Sequence, residues 1–340
     1  MSDVNNFIVS DFSDIFEKAP VYNRLLNSLG MFDFEAVDQS RVNFDYLLTN
    51  KQSSLDSVAR YGSEFKSSSK SKASLHQFEV PHFTMLDTVS PADFQGKRVA
   101  GENRSMIAED CIVDYLVNHR ESFEDTIEKY FADALFRGIQ NAPYTQEPVI
   151  DLQVEFGLNQ QTQNIEWSSA ATDVDGATDD VHIKIKTALG DKVRMMDKIV
   201  CVCGSQYFKA VKSNAKVREA FTFVKPYEPE NIIHNFYEIL PGVQYFDYNG
   251  ILFIMSTDPL HGISSNDAYF FPKMKKGAGV FKHFGGPASR HGDMAMKGGQ
   301  RYFQYQLKDP KWANYEVVGE MGVIAVNHLP NIVVKSTNSA

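Results

Sequence analysis

The longest regular pattern of apolar positions in the chain spans residues 104–139. Apolar residues recur there at steps of three and four, which is the spacing of one helix face rather than the alternation of a strand. These positions are Ile107, Cys111, Ile112, Tyr115, Leu116, Phe123, Ile127, Tyr130, Phe131, Ala134 and Leu135. The pattern predicts one continuous helix of about 50 Å, which we call the spine helix because other elements can lie along it.

The ends of the spine helix have their own sequence signals. Asn103 or Ser105 can cap its start, since short polar side chains accept hydrogen bonds from the first backbone N–H groups of a helix. No proline interrupts the segment, and its single glycine, Gly138, stands where the helix should end.

Residues 41–84 follow a different pattern. Apolar and polar residues alternate over 42–46 and again over 78–80, which predicts two strands. The stretch 63–74 between them is polar, basic and serine-rich, and it has too few apolar side chains to form a core. The pattern predicts a long hairpin with a soft tip. Because a two-stranded hairpin is marginal alone in water, we expect it to pack on another surface, such as a neighbouring subunit.

The N-terminal region is predicted to be an arm. Residues 12–29 form a short amphipathic patch that Pro20 interrupts, as in a broken helix.

The segment after the spine helix is less regular. Apolar and polar residues alternate within 149–156, which predicts a strand, and the polar residues 159–180 are predicted to form a loop. Residues 181–189 fit either a strand or a helix. The acidic residues Asp179 and Asp180 favour a helix that begins after them.

The second half of the chain predicts a buried strand, two hairpin strands and closing strands. The apolar run 199–203 predicts a buried strand that turns into a helix at Gly204, and this helix continues over 209–221. The dipeptide Asn249–Gly250 between two apolar runs predicts a β-hairpin with a two-residue turn. Alternation returns over 301–334 and predicts the closing strands.

The composition is that of a folded protein. The 340 residues are 43% hydrophobic and 23% charged, and no apolar run approaches the ~18 residues of a membrane span. The N-terminus is acidic and polar rather than a signal peptide, so we expect synthesis in the cytoplasm. The formal net charge of −9 argues against sequence-specific binding to nucleic acid, which normally uses a basic face. It suits a protein that lies near nucleic acid without gripping it.

Two short motifs resemble binding sites but lack the necessary partners. Cys201 and Cys203 have no second pair of ligands to complete a tetrahedral zinc site, and in a strand they share one face, so we predict core packing. The glycines Gly277 and Gly279 lack the third glycine of a dinucleotide-binding motif, whose place Lys282 occupies. We predict a flexible loop there.

Two further groups of polar residues lack the partners that a binding or catalytic site would need. The acidic cluster comprises Asp173, Asp175, Gly176, Asp179 and Asp180. It resembles a fragment of a calcium loop without the terminal glutamate, so we predict a solvated loop, with weak cation binding left open. His291 and Asp293 have no nucleophile nearby in a recognisable turn. We therefore predict no catalytic residues, no cofactor, no metal site and no enzymatic activity.

The sequences of four segments resemble the same protein family. The segments are ALFRGIQNAPYTQEPVIDLQVEFGL (134–158), VCGSQYFKAVKSNAKVREAF (202–221), AYFFPKMKKGAGVFKHFGGPA (268–288) and NHLPNIVV (327–334). In this order they resemble the lambda-type major capsid proteins of tailed bacteriophages, which share the Hong Kong 97 coat fold.

The resemblance implies an α+β coat fold with an N-terminal arm, an extended loop, a peripheral domain and an axial domain. It places the arm at 1–39 and the extended loop, which is the hairpin, at 40–87. The peripheral domain takes 88–159 with the spine helix and returns over 302–340. The axial domain takes 160–301.

The resemblance also implies a function. Such proteins self-assemble as hexamers and pentamers into an icosahedral shell around phage DNA, so we expect this chain in the virion and, during assembly, in the host cytoplasm. No long charged scaffold domain precedes the arm, so we expect a separate scaffold protein, together with a portal and, as in some relatives, a decoration protein. DNA would be contacted non-specifically, and no membrane partner is expected.

Contacts between subunits are expected at the hairpin tip. Lys66, Lys70 and Lys72 are candidates, because the acidic chain offers carboxylates on neighbouring copies. Two other functions stay open. An encapsulin-like nanocompartment shell uses the same fold, and an unrelated cytosolic α/β enzyme would need a concave site with perturbed titratable groups.

Overall fold

Helices and strands are interspersed along the chain in an α+β arrangement. The structure is a computed structural model, and it describes residues 10–11, 24–48, 72–99, 104–141, 149–169, 172–223, 243–298, 300–309, 311–312 and 314–338. The strands are β1 (Ser10–Asp11), β2 (Asp33–Ala36), β3 (Arg41–Leu48), β4 (Lys72–Glu79), β5 (His82–Val89), β6 (Ile139–Gln140), β7 (Ile150–Asp151), β8 (Gln161–Thr162), β9 (Met196–Cys203), β10 (Tyr245–Tyr248), β11 (Ile251–Met255), β12 (Asp267–Met274), β13 (Phe281–Gly285), β14 (Phe303–Lys308), β15 (Tyr315–Gly322), β16 (Ile324–Asn327) and β17 (Val334–Thr337). The helices are α1 (Leu25–Leu29), α2 (Pro91–Phe94), α3 (Ala108–Ala132), α4 (Leu152–Phe156), α5 (Val174–Leu189), α6 (Ser205–Ser213), α7 (Ala215–Phe223) and α8 (Gly292–Ala295), with a π-helical turn at Asp133–Arg137 and 3-10 turns at Gly190–Met195, Pro259–His261 and Pro330–Ile332.

The spine helix is α3 with the π-helical turn that follows it, and it begins later than predicted. Ile107 occupies the position before the first turn, and its backbone N–H donates to the Asp110 carboxylate at 3.0 Å. Arg104 donates two N–H groups to the same carboxylate, each at 2.7 Å. The Asp110 carboxylate in the first turn thus accepts the N–H of the residue before the helix, which is one half of a capping box.

The predicted capping residues are wrong, and the predicted end is confirmed. Ser105 lies in an isolated β-bridge with Arg98, and Asn103 falls outside the described residues. At the other end, the π-helical turn stops at Gly138, which adopts a left-handed conformation with φ 66°.

The predicted apolar stripe of the spine helix is buried over most of its length. Phe123, Ile127, Phe131 and Leu135 are each at most 3% exposed. The prediction is wrong at its first position, since Ile107 precedes the helix and is 47% exposed.

One face of the spine helix packs on an antiparallel sheet with the strand order β1, β14, β15, β5, which we call the long sheet. Gly319 of β15 permits the close approach, because a Cβ atom there would lie 3.0 Å from the Phe123 ring and 2.7 Å from Gln304 Oε1. The opposite face of the long sheet carries a second, smaller apolar cluster. Its members are Ala288, Met294, Phe303, Tyr305 and Val318.

The predicted hairpin is confirmed as the two-stranded sheet β3–β4. Arg41 pairs with Glu79 at its base, and Leu48 pairs with Lys72 at the other end of the described part. Helix α1 lies within the predicted arm, and its three leucines are buried against the main core. The rest of the predicted broken helix, residues 12–23, lies outside the described residues. A three-stranded sheet, β16–β13–β2, joins the segment after α1 to the closing strands.

A six-stranded sheet with the order β10, β11, β9, β12, β17, β8 forms the other large layer. The predicted buried strand that turns into a helix at Gly204 is confirmed by β9 and α6. Cys201 and Cys203 in β9 are fully buried, which confirms their core packing. The predicted hairpin across Asn249–Gly250 is also confirmed, and both residues have the positive φ angles, 46° and 73°, that a two-residue turn requires.

The strand predicted within 149–156 is wrong after Asp151. The Asp151 carboxylate accepts two backbone N–H groups of the next turn at 2.9 and 3.3 Å, and this cap starts helix α4. Leu152 and Phe156 are buried together as one helix face, because a step of four fits a helix as well as a strand.

The helix predicted over 181–189 is confirmed, but it begins at Val174. Asp173 caps it by accepting the Gly176 N–H at 3.4 Å. The acidic cluster therefore lies in the first turns of α5, and its prediction as a solvated loop is wrong. Asp175, for example, accepts the Tyr248 hydroxyl at 2.5 Å.

Three smaller expectations have mixed outcomes. Gly277 and Gly279 lie in the turn between β12 and β13 with positive φ, as predicted for a loop. The helix predicted over 209–221 is divided by Asn214 into α6 and α7. His291 caps the short helix α8 by accepting the Asp293 N–H at 3.3 Å.

No described helix has both the length and the apolar composition needed to cross a bilayer.

Candidate functional site

The residues predicted to contact neighbouring subunits lie on the hairpin. The backbone of Lys72 is placed at the far end of β4, opposite Leu48. Lys66 and Lys70 fall outside the described residues. Within the described part of the chain, β3 and β4 pair only with each other. The contact role of the three lysines therefore stays a prediction.

The hairpin is held by its base. Val42 and Phe78 pair across the two strands and are 3% and 4% exposed, as members of the main core. Beyond the last pair, the Val80 N–H donates to the Ser40 carbonyl at 2.9 Å. The direction in which the ribbon leaves the subunit is thus set by core packing.

Glu128 is a buried carboxylate in the spine helix that joins it to two distant segments. It accepts the backbone N–H groups of Leu26 and Asn27 in α1 at 2.7 and 3.0 Å. It also lies 2.8 Å from His261 Nε2, and the other ring nitrogen of His261 lies 2.5 Å from Ser256 Oγ. The carboxylate therefore satisfies two free N–H groups at the start of α1 and fixes one orientation of the imidazole.

Glu124, one turn earlier on the spine helix, binds the arm and the start of β14. It accepts the Asn27 side-chain amide at 2.8 Å and the Tyr302 hydroxyl at 2.6 Å. Arg120 approaches it at 2.9 Å and Arg301 at 3.5 Å. Burial raises the pKa of the Tyr302 hydroxyl, so this group stays a donor. We call Glu124 and Glu128 with these partners the arm hub.

Glu320 of β15 holds the long sheet to the loop before α8. Its carboxylate accepts the Tyr305 hydroxyl at 2.5 Å and the backbone N–H groups of Ser289 and Arg290 at 2.7 and 3.1 Å. His82 Nε2 lies 3.0 Å away. Burial alone would raise the pKa of Glu320, but these hydrogen bonds outweigh it and lower the pKa to about 2.

The spine helix is tied to the long sheet by a third polar contact. His119 Nε2 lies 2.7 Å from Asp87 Oδ2 of β5, and its Nδ1 lies 3.3 Å from Gln304 Nε2 of β14. His119 is fully buried. Each of these contacts orients one element against another, which is a structural task.

Two titratable side chains of the core, Cys201 and His283, are poorly suited to chemistry. Burial raises the pKa of the Cys201 thiol well above its ordinary value and lowers the pKa of His283 well below its own. Among the described residues, no group of three or more His, Cys, Asp or Glu side chains could hold a metal ion. The arrangement offers neither a thiolate nucleophile nor a charged imidazole at these positions.

Sequence reasoning missed the arm hub, although a signal was present. Glu124 directly follows Phe123, and Glu128 directly follows Ile127, and both of these apolar residues belong to the stripe. The two carboxylates are four residues apart. Carboxylates at that spacing lie at the margin of a buried helix face, and buried carboxylates need partners. The partners come from residues 26–27, 261 and 301–302, which no local pattern identifies.

The chain is similar to phage coat proteins over nearly its whole length. The model of the family described as phage major capsid protein E matches residues 9–338. The major capsid protein of Pseudomonas phage KPP10 is 24% identical over 353 residues, which covers 97% of each chain. Among solved structures, a capsid protein from a prophage of E. coli CFT073 is similar with a TM-score of 0.60 at 12% identity, covering 98% of this chain and 100% of that one. The capsid of Ralstonia phage GP4 is similar with a TM-score of 0.51 at 11% identity, covering 94% of this chain and 92% of that one.

At these low identities the structural likenesses show the fold, which is the predicted α+β coat fold of the Hong Kong 97 type. The family match and the relative select the phage coat over the encapsulin-like compartment and the cytosolic enzyme. Since the family model covers far more than half of its residues, this chain belongs to the phage major capsid protein E family.

Proposed function

We propose that copies of this chain self-assemble as hexamers and pentamers into a closed icosahedral shell that encloses phage DNA. As a member of a major capsid protein family, the chain is a structural part of the virion. The observation that carries the proposal is the hairpin β3–β4, which forms a sheet of its own. We propose no enzymatic activity.

We propose that the hairpin packs on a neighbouring copy, because β3 and β4 pair only with each other among the described strands. Each strand has eight residues, which at about 3.3 Å per residue gives a ribbon of roughly 26 Å. Val42 and Phe78, at its base, are anchored in the core. A two-stranded ribbon of this kind is marginal in water. A neighbouring copy in a shell supplies the missing surface at every position.

The division into domains is part of the proposal. We assign 1–39 to the arm, 40–87 to the extended loop, 88–159 and 302–340 to the peripheral domain, and 160–301 to the axial domain. The packing of β14 and β15 against the spine helix supports the return of the chain to the peripheral domain. Six strand pairings cross the proposed borders. β5 pairs with β15, β17 with β12 and β8, β13 with β16 and β2, and β1 with β14.

Lys66, Lys70 and Lys72 are proposed as contacts with carboxylates of the neighbouring copy. The net charge of −9 supports this, because a basic tip on an acidic chain finds opposite charge on any other copy. The same charge keeps contacts with packaged DNA weak and non-specific. A separate scaffold protein, a portal and a decoration protein are proposed partners, with assembly in the host cytoplasm.

Electron microscopy of the expressed chain, alone and with its genomic neighbours, tests the proposal. We expect closed shells of uniform size that sediment far faster than the subunit. DNA inside shells purified from infected cells would distinguish a phage head from a compartment that holds protein cargo. A single small oligomer under all conditions, with the genomic neighbours present, would overturn the proposal.

A further inference from the structure

The segment between β14 and β15 presents an exposed tryptophan. Trp312 is 70% exposed. The Asp309 carboxylate accepts the backbone N–H groups of Lys311 and Trp312 at 3.1 and 2.9 Å. The Asp309 backbone N–H in turn donates to the Asn314 carbonyl at 2.9 Å. The turn is thus held by its own hydrogen bonds, with a large apolar side chain left in water.

Two lysines accompany the aromatic rings of this turn. Lys311 Nζ lies 5.0 Å from the centre of the Trp312 ring, and Lys308 Nζ lies 5.5 Å from the centre of the Tyr315 ring. Both lysines are exposed. An exposed tryptophan is typical of the anchors of protein interfaces, where tryptophan contributes more binding energy than most residues.

A surface of complementary character lies at the start of the spine helix. Val113 is 56% exposed and Ile107 is 47% exposed, although both are apolar. The carboxylates of Glu109, Asp114 and Glu121, in the first half of the same helix, are also exposed. In the part of the chain that the structure describes, none of these three has an ion-pair partner, whereas Arg104 and Arg120 on the same stretch are already paired with Asp110 and Glu124. We call the apolar pair and the three carboxylates the acidic helix face.

The tryptophan turn and the acidic helix face lie at the same end of the long sheet. Tyr315, just after the turn, pairs with Val89 at the end of β5. The chain then enters α2, which packs against the spine helix. Asp87, two residues before Val89, binds His119, so the helix turns that precede His119 extend toward the tryptophan turn. Trp312 does not cover its own acidic helix face, because its ring is largely exposed.

We infer that Trp312 of one copy docks on the acidic helix face of a second copy, with Lys308 and Lys311 meeting the carboxylates of that face. The inference rests on the proposed function and names one contact through which the shell closes. Two lysines face three carboxylates, and one exposed ring faces two exposed aliphatic side chains, so the surfaces match in charge and in polarity. The two surfaces differ, so the contact is heterologous. Because both lie at one end of the subunit, the contact brings the same ends of neighbouring copies together around an axis.

Substitutions on the two surfaces test the inference while the wild type tests the proposed function. Trp312→Ala should leave the melting of the soluble subunit unchanged and raise the concentration needed for shells by about tenfold or more. Trp312→Phe, the matched control, keeps an aromatic ring and should assemble much better than Trp312→Ala. Lys311→Glu should also weaken assembly, and Lys311→Glu combined with Asp114→Lys should restore it, because the charge pair is re-formed with opposite sense.

A cross-link identifies the partner directly. The double variant Trp312→Cys with Val113→Cys should form disulfide-linked dimers and larger species in oxidised shells, and neither single variant should do so by this route. The three native cysteines are buried and do not compete.

The outcomes separate the two proposals. Absence of shells from the wild type would overturn the proposed function and this inference together. Wild-type shells accompanied by equally good assembly of Trp312→Ala, no effect of Lys311→Glu and no cross-link would overturn the inference and leave the proposed function standing. If Trp312→Ala failed to fold, Trp312→Cys would share that defect, and the rescue of Lys311→Glu by Asp114→Lys, which keeps Trp312, would still decide the question.

Discussion

His261 Nε2 donates a hydrogen bond to the Glu128 carboxylate at 2.8 Å in a site where both side chains are at most 1% exposed. The pair is far apart in sequence and joins the six-stranded sheet region to the spine helix. The same carboxylate accepts two N–H groups from α1. The two oxygens of the Glu128 carboxylate thus hold α1, the spine helix and the turn at Pro259–His261 in one relative position.

The first prediction concerns this carboxylate. Glu128→Ala removes the partner of two backbone N–H groups and of a buried imidazole, so we expect a loss of about 3–5 kcal/mol in the free energy of unfolding. Glu121→Ala, an exposed position on the same helix, serves as the control and should change little. Denaturant melts of the soluble subunits give the comparison. Equal stability of the two variants would show that the arm hub is not needed for the fold.

The second prediction concerns the apolar stripe. Leu135 is fully buried in the π-helical turn, so Leu135→Asp places an unpaired charge in the core and should unfold or aggregate the subunit. Val113→Asp makes the same change at an exposed position of the spine helix and should leave the subunit folded. Solubility and circular dichroism distinguish the two. A soluble, assembling Leu135→Asp variant would show that the stripe is misplaced.

The third prediction is a pH dependence caused by Glu320. Its pKa is lowered from 4.5 to about 2, so the folded state binds its proton less readily than the unfolded state does. The stabilisation is fully present above the unfolded pKa and is lost as the pH falls toward the folded value. A shift of this size corresponds to roughly 3 kcal/mol.

The variant Glu320→Gln checks that pH dependence. It should be less stable than the wild type at neutral pH, and the difference should shrink between about pH 5 and pH 2 as the wild-type carboxylate becomes protonated. Urea melts across this range measure the difference. A difference that stays constant with pH would mean that the ionised form of Glu320 is not what holds the loop before α8.

The fourth prediction concerns the buried thiols. Cys201→Ser with Cys203→Ser buries hydroxyl groups in β9 and should destabilise the subunit by about 1–3 kcal/mol without changing its metal content. Elemental analysis and thermal melts check the two parts separately. Zinc bound in equal amount to the wild-type protein would contradict a purely structural role.

The fifth prediction concerns the hairpin tip. Lys66→Glu, Lys70→Glu and Lys72→Glu together should leave the soluble subunit folded with unchanged melting, while shell assembly fails or becomes sensitive to salt. Each exposed pair contributes at most about 1 kcal/mol, but a shell repeats the contact at every subunit. Circular dichroism and sedimentation of one sample give both readings. Normal shells at every salt concentration would exclude contact through charge, and loss of folding would place the tip in the subunit's own core.

The elements predicted well are those whose signal is local and of one kind. The spine helix has the 3.6-residue period over many turns, and Asn249–Gly250 combines two residues that accept positive φ. Short segments were predicted less well. The apolar positions Leu152 and Phe156 fit both periods, and only the Asp151 cap decides for a helix.

The contacts that fix the arm could not be predicted from the sequence. Glu124 and Glu128 show at most that carboxylates lie beside a buried stripe. Their partners, Asn27, Tyr302 and His261, come from three parts of the chain that meet only in the folded subunit. The exposure of Trp312 is equally a tertiary property, since its sequence neighbours do not show whether another element covers it.

The arm hub has a consequence for the order of events during synthesis. Asn27 is made early, whereas His261 and Tyr302 emerge from the ribosome more than two hundred residues later, at about 5–20 residues per second. Until then the two carboxylates have no complete set of partners, and α1 cannot dock in its final position. The arm is therefore among the last parts of the subunit to be fixed. A nascent or truncated chain that ends before Tyr302 lacks the complete arm hub of the finished subunit.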